Sequence, residues 1–245
     1  MISGFLDESI VKRAQEKGLV TIEIVNLRDF AKDNYKTVDD KPYGGGAGMV
    51  LKVEPLVEAI ENSKLKIKNS KLKQKTILTT PRGQVYNQSK AQAYSKLENL
   101  IIIAGHYEGV DERMLDYIDE EVSIGDFVMT GGEIAAVTIV DSVVRLIPHV
   151  LKKDEATAIE TFLTISIDEL TRAVGVHPKL EEIKRNGIEM VQLLEYPQYT
   201  RPDDFEGKKV PEILLSGDHA EIQKWQLKMA FEETFRRRPD LLGIT

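Results

Sequence analysis

Apolar positions recur along the chain with two different periods. Residues 4–17 place Phe5, Ile10, Val11 and Ala14 on one face of a 3.6-residue repeat, which predicts an amphipathic helix closed by Gly18. The next stretch, Val20 to Val25, alternates as a half-buried strand does. Helical spacing returns over Val53 to Ser63, with Pro55 in the first turn. Two short runs rich in β-branched residues, Thr76 to Thr79 and Leu100 to Ala104, read as strands, the second as a buried parallel one. Between and after them the pattern predicts a helix capped by Asn87 or Ser89 and ending near Leu97. An acidic helical stretch follows over Asp111 to Glu121, then an apolar helix from Ile134 to Leu146, long enough to pack across a sheet. Pro148 and the charged residues Lys152 to Glu155 mark a domain boundary. Beyond it, Ser166 is placed to cap a helix over Ile167 to Val174, and Pro178 to open one reaching Arg185. Tyr196 to Pro202 is extended, because two prolines disfavour helix there. Ser216 is placed to cap a last helix over Asp218 to Arg238, which carries the only tryptophan, Trp225.

Glycines punctuate this pattern where chemistry is expected. The apolar run 100–104 stops at Gly105; further stops follow at Ser123 to Asp126 and at Thr130 to Glu133. Strand ends that finish in glycine turns are where open α/β sheets bind ligands, so these stops predict one shared pocket. Thr80 to Gly83 is another tight turn after a strand. In Asp39 to Met49, glycines at 44, 45, 46 and 48 exclude regular structure. Neither phosphate-cradling pattern, GxxxxGK[ST] or GxGxxG, is present, so the loop reads either as a lid over a substrate or as a mobile surface loop.

Composition narrows the classes. Of 245 residues, 42% are hydrophobic and 30% charged, an ordinary soluble balance. No apolar run approaches the roughly 20 residues of a membrane span. The first residues lack a basic start and a signal core, so the expected location is the cytoplasm, with no membrane partner. The absence of cysteine removes disulfides, thiolate metal sites and a cysteine nucleophile, and the histidines at 106, 149, 177 and 219 are scattered. A net charge of −7 argues mildly against nucleic acid, but its distribution matters more. Lysines at 64, 66, 68, 71, 73 and 75 and the run Arg236 to Arg238 are either phosphate contacts or solvated surface charge.

Several phrases in fixed order carry a resemblance: TVDDKPYGGGAGM (37–49), AGHYEGVDER (104–113), SIGDFVMTGGE (123–133), DSVVRLIPHVL (141–151), YPQYTRP (196–202) and LLSGDHAEIQKWQLK (214–228). Together they closely resemble the bacterial tRNA (guanine-N1)-methyltransferases, the TrmD family of the SPOUT class. The resemblance implies an α/β fold with a trefoil-knotted parallel-sheet domain, helices on both faces, and a small C-terminal helical domain. It implies an S-adenosylmethionine (AdoMet) domain over 1–153 and a tRNA-binding helical domain over 193–245, with the interdomain linker 154–192 carrying an unusual helical insertion that departs from the family. It also implies an obligate homodimer with each site built from both subunits, and methylation of N1 of the guanosine just 3′ of the anticodon (position 37 of tRNA).

Residue by residue, the resemblance assigns cofactor contacts to Leu78, Thr79, Thr80, Gly105, Tyr107, Glu108, Ile124, Gly125, Asp126, Phe127, Val128, Met129, Gly131 and Gly132. The glycines are expected to keep side chains out of the way, and 124–129 to wrap the adenine. Guanine N1 is a weak nucleophile while protonated, so transfer needs a base near N1 and a cation for the charge developing on O6. Glu160, where the family has an aspartate before a Ser-Phe pair, is the expected base, and Arg145 the cation. The lid is expected over 43–49, and Mg2+ is a further candidate participant. Family members carry a strand and a Phe-Pro turn ahead of the residues matched by the first helix, so an exposed sheet edge is expected. Residues 163–192 stand in place of a short connection, and Ala135 in place of a frequent proline. A catalytically impaired AdoMet- and tRNA-binding relative, or a methyltransferase with a shifted nucleic-acid target, are the alternative readings.

Overall fold

The computed structural model describes residues 2–66, 73–152 and 160–244, which divide into two compact units, 1–153 and 154–245. The first is a mixed α/β unit built on a parallel sheet. Its middle strand is β3 (Gln74–Val85), flanked by β4 (Asn99–Ala104) and β5 (Glu120–Ser123). Both neighbours run parallel to it, Ile77 standing opposite Ile102 and Glu120. Alternation along β3 sends successive residues to opposite faces. Leu78 packs with Leu56 and Ile60 of α3 (Val53–Leu65), while Ile77 packs with Tyr94 of α4 (Gln88–Tyr94) and Ile139 of α5 (Glu133–Val144). Helices therefore cover both faces, as parallel strands buried on two sides require. Local signals set the helix starts: the Asn87 side chain accepts from the Lys90 N–H at the start of α4.

Four expectations are corrected here. The first helix is two, α1 (Ser3–Leu6) and α2 (Ser9–Glu16), interrupted where Ser9 takes a φ of 52°. Leu6, Val11 and Ala14 are buried, whereas Phe5 faces outward. Val20 to Val25 forms no ladder among the described residues; alternation alone does not make a strand when no partner supplies hydrogen bonds. The acidic stretch 111–121 is only a 3-10 turn over Glu112–Tyr117, after which Glu120 and Glu121 join β5. Pairing with β3 overrides the helical propensity of two glutamates. Finally, 80–83 does not end a strand. The chain bulges between Thr79 and Gln84 and continues pairing with β5 to Val85.

The second unit is not purely helical. β6 (Leu163–Ser166) pairs antiparallel with β7 (Met190–Leu193), and between them run α6 (Ile167–Val174) and α7 (Pro178–Arg185). Ser166 Oγ accepts from the Glu169 N–H at the start of α6, and Pro178 opens α7. Ile165, Leu170, Leu180, Ile183 and Leu193 share one core with Phe231 of α8 (His219–Arg237). A boundary at 192/193 therefore separates nothing: the expected insertion and the expected C-terminal domain bury the same side chains. α8 is capped by Asp218, whose carboxylate accepts from the Ala220 and Glu221 N–H groups, rather than by Ser216. Of the charged boundary residues 152–155, only Lys152 lies inside the described residues.

Candidate functional site

In the first unit the bulge of β3 at 79–82 and the C-terminal ends of β4 and β5 open into a cavity of about 1180 Å³. Every expected cofactor residue lines it except Asp126, which lies beside it. The strand ends are stitched together. Thr79 Oγ1 donates to the Ile103 carbonyl at 3.1 Å, with the Gly132 carbonyl 3.4 Å away, and the Gly132 N–H donates to the Gly105 carbonyl at 2.7 Å. His106 bridges to Gly131, and its Nε2 stands 3.2 Å from a Glu133 carboxylate oxygen at the start of α5. The turn after β5 is closed by Ser123, whose Oγ donates to the Gly125 carbonyl at 2.9 Å.

The glycine stops have a reason that sequence alone did not supply. A Cβ on Gly132 would lie 2.2 Å from Thr79 Oγ1 and 2.8 Å from the Gly105 nitrogen, so its clearance is required by the protein's own chain crossing. Gly105 is different, since a Cβ there would meet the Thr79 carbonyl at an ordinary 3.4 Å.

The glycine-rich loop joins β1 (Asp39–Asp40) to β2 (Val50–Leu51) as an antiparallel pair. Its far end is fixed: the Glu108 N–H donates to Met49 O and the Leu51 N–H to Gly109 O. Gly48, at φ 90°, lies where a Cβ would strike the Glu108 side chain at 2.6 Å. Of the expected lid 43–49, Tyr43 lines the cavity, with a fully exposed ring.

Besides Glu108, charge at the cavity comes from residues that were not assigned a role from sequence. Arg82 reaches Glu112 at 3.2 Å and Glu121 at 3.4 Å, and its pKa is raised, first by the hydrogen bond to Glu112. The Asp111 carboxylate takes two hydrogen bonds from Arg113, at 2.8 and 2.7 Å, which hold its pKa below the usual carboxylate range. Asp111 and Arg113 lie within the phrase 104–113, which was the available signal; nothing local distinguishes Arg82 from a surface arginine.

Arg145 stands at the C-cap of α5 in the first unit, and Glu160 belongs to the second, where its carbonyl accepts from the Leu163 N–H at 3.0 Å. Beside Glu160 a smaller cavity of about 330 Å³ is lined by Thr161, Leu194, Glu195, Pro197, Glu233 and Arg237. The C-terminal arginines are engaged within the unit: Arg236 and Arg237 with Glu233, Arg238 with Asp240. Such exposed pairs are weak and can exchange for phosphate. Of the lysine run, Lys68 and Lys71 lie outside the described residues, Lys75 pairs with Glu120, and Lys66 with Glu23. Among the described residues no cluster of three or more His, Asp or Glu side chains is arranged to hold a metal ion, and no helix is long and apolar enough to cross a membrane.

Comparison with known proteins gives consistent matches. A family model described as tRNA (Guanine-1)-methyltransferase TrmD matches residues 1–243. A protein of Citrifermentans bemidjiense is 50% identical over 243 residues, covering 99% of this chain and 85% of the relative. One of Dictyoglomus turgidum is 48% identical over 245 residues (100% and 86%), and one of Anoxybacillus flavithermus 44% over 243 residues (99% and 87%). All three are named tRNA (guanine-N(1)-)-methyltransferase.

Proposed function

Because the chain belongs to the tRNA (guanine-1)-methyltransferase TrmD family, we propose that it methylates N1 of guanine in tRNA with AdoMet as donor, at the guanosine just 3′ of the anticodon. The observation that carries this reading is the convergence of nearly all the family's cofactor positions on one cavity, at the bulge of β3 and the ends of β4 and β5. The finer features of the family accompany it as part of the proposal: a trefoil knot in the first unit, a homodimer with shared sites, and a cytoplasmic location.

The residues present fit AdoMet. The cavity is lined at 105–107, 124–125 and 127–130, whose backbone N–H and C=O groups suit a nucleoside, and Leu78, Ile124 and Phe127 give apolar walls for its adenine. AdoMet supplies an electrophilic methyl group on a sulfonium. The chain does the rest. Glu160 would accept the N1 proton as N1 is methylated, ending as a protonated carboxyl. Arg145 stabilises the negative charge that builds on O6. Phe127 and Val128, both exposed at the cavity, are apolar surface for a second copy of the chain to cover.

The test is single-turnover methyl transfer to two tRNA transcripts carrying G or A at the target position. The wild-type protein methylates only the G transcript. Glu160→Gln is expected to slow transfer by about 100-fold or more, the usual contribution of a general base, with AdoMet binding unchanged. Transfer to the A transcript would overturn the assigned target, and an undiminished rate in Glu160→Gln the assigned base.

A further inference from the structure

The turn that carries Glu160 is held in an unusual conformation. Phe162 has a φ of 71°, in the left-handed region that a bulky aromatic residue rarely enters. Such a residue persists only where its surroundings over-determine it, and here they do. The Phe162 N–H donates to the Leu193 carbonyl at 2.7 Å, and the Leu163 N–H to the Glu160 carbonyl at 3.0 Å. Thr161 Oγ1 accepts from the Glu195 N–H at 3.2 Å. The strand on the other side is anchored in turn: the Leu194 N–H donates to Thr234 Oγ1 at 2.8 Å, and Thr234 is fully buried on α8, donating to the Ala230 carbonyl at 2.6 Å.

The contacts between 160–162 and 193–195 are set by the β6–α6–α7–β7 segment. The β6–β7 ladder brings Leu163 opposite Leu193 and so sets residues 160–162 beside 193–195. The helices between the strands bury Leu170, Leu180 and Ile183 against Phe231, which fixes the ladder to α8. A glutamate has one more rotatable bond than an aspartate, and a displacement of about 1 Å in a reacting group can slow a reaction by about 100-fold. A longer base therefore needs a firmer mount.

We propose that the segment 163–193 is a clamp that fixes the Glu160 turn before RNA arrives, and that Thr161 is a positioning residue whose hydroxyl closes the clamp on Glu195. The inference rests on Glu160 being the base. It gives the segment a role in the methyl-transfer step itself, since a preset turn spares the RNA complex the ordering of these residues.

The test compares Thr161→Val, Thr161→Ser and Glu160→Gln in the full-length protein, reading single-turnover rate at saturating AdoMet and tRNA, binding of each ligand, and thermal stability. Thr161→Val is expected to slow methyl transfer about tenfold or more with AdoMet affinity within about twofold of wild type, and Thr161→Ser to restore the rate. If Thr161→Val lowers only the melting temperature, or if Thr161→Ser is as slow as Thr161→Val, the clamp is overturned. A full rate in Glu160→Gln overturns the base and the clamp together; a dead Glu160→Gln beside a full-rate Thr161→Val overturns the clamp alone. Should Thr161→Val fail to fold, amide exchange in the wild-type protein decides. Slow exchange at Phe162 and Glu195 without tRNA supports the clamp, and protection that appears only with tRNA sinks it.

Discussion

A methyl group added at Gly132 would lie 2.2 Å from Thr79 Oγ1 and 2.8 Å from a backbone nitrogen, whereas one added at Gly105 would touch the Thr79 carbonyl at 3.4 Å. The first clash involves backbone, which cannot swing aside, so Gly132→Ala is expected to lower stability by about 1–3 kcal/mol, the cost of overpacking. Gly105 has no such neighbour and no left-handed φ, so Gly105→Ala should cost well under about 1 kcal/mol. If Gly105 keeps room for AdoMet, that same substitution weakens AdoMet binding by about tenfold or more, since a clash confined to the ligand appears only in the affinity. Chemical denaturation and calorimetric titration of the two variants separate these effects. A destabilised Gly105→Ala, or one that binds AdoMet as wild type does, would remove Gly105 from the cofactor site. Both glycines were legible in the sequence as stops after strands. Which serves the protein and which can serve a ligand was not, because it depends on a crossing with Thr79, far away along the chain.

Element by element, local chemistry was readable at several helix starts where the deciding atoms lay within a turn of one another, though the cap of α8 fell on Asp218 rather than Ser216. Asn87, Ser166 and Pro178 set the starts of α4, α6 and α7 in that way. It was unreadable where pairing decided: Glu120 and Glu121 read as helix but lie in β5, because β3 recruits them. Glu120 shows how that recruitment is secured. Its largely buried carboxylate is met by Lys75 Nζ at 2.9 Å, Tyr94 Oη at 2.9 Å and Lys90 Nζ, which ties β3, α4 and β5 at one point. Burial alone would raise its pKa, but hydrogen bonds from Lys90, Lys75 and Tyr94 outweigh it and hold the carboxyl at about 2. A folded pKa below the ordinary value of 4.5 contributes stability that is fully present above that value and is lost as pH falls towards 2. Glu120→Gln is therefore expected to lower stability at neutral pH by about 1–3 kcal/mol, as the loss of hydrogen bonds to a charged group does. The gap from wild type should close between about pH 4.5 and 2. Thermal melts across that range check it; a gap independent of pH would mean that shape, not charge, matters at this position.

At the scale of the molecule, Arg145 and Glu160 belong to different compact units, divided between residues 153 and 154. An active site that needs both can draw them from one chain or from two. Mixing inactive variants tells these apart without any structure of the assembly. In a dimer carrying Glu160→Gln on one chain and Arg145→Ala on the other, sites built across the chains pair the mutated residues in one site and leave the other intact. Sites built within a chain each carry one defect. Random mixing in equal amounts makes half of the dimers mixed, so shared sites restore about a quarter of the wild-type activity and private sites restore none. The shared arrangement is the expected one, with a solution mass of twice the 27.6 kDa chain. The variants must be unfolded and refolded together, or co-expressed, because an obligate dimer does not exchange subunits on mixing alone. No recovery from a dimer of the expected mass would place both residues in one chain. The apolar surface at Phe127 and Val128 would then serve association without completing the site.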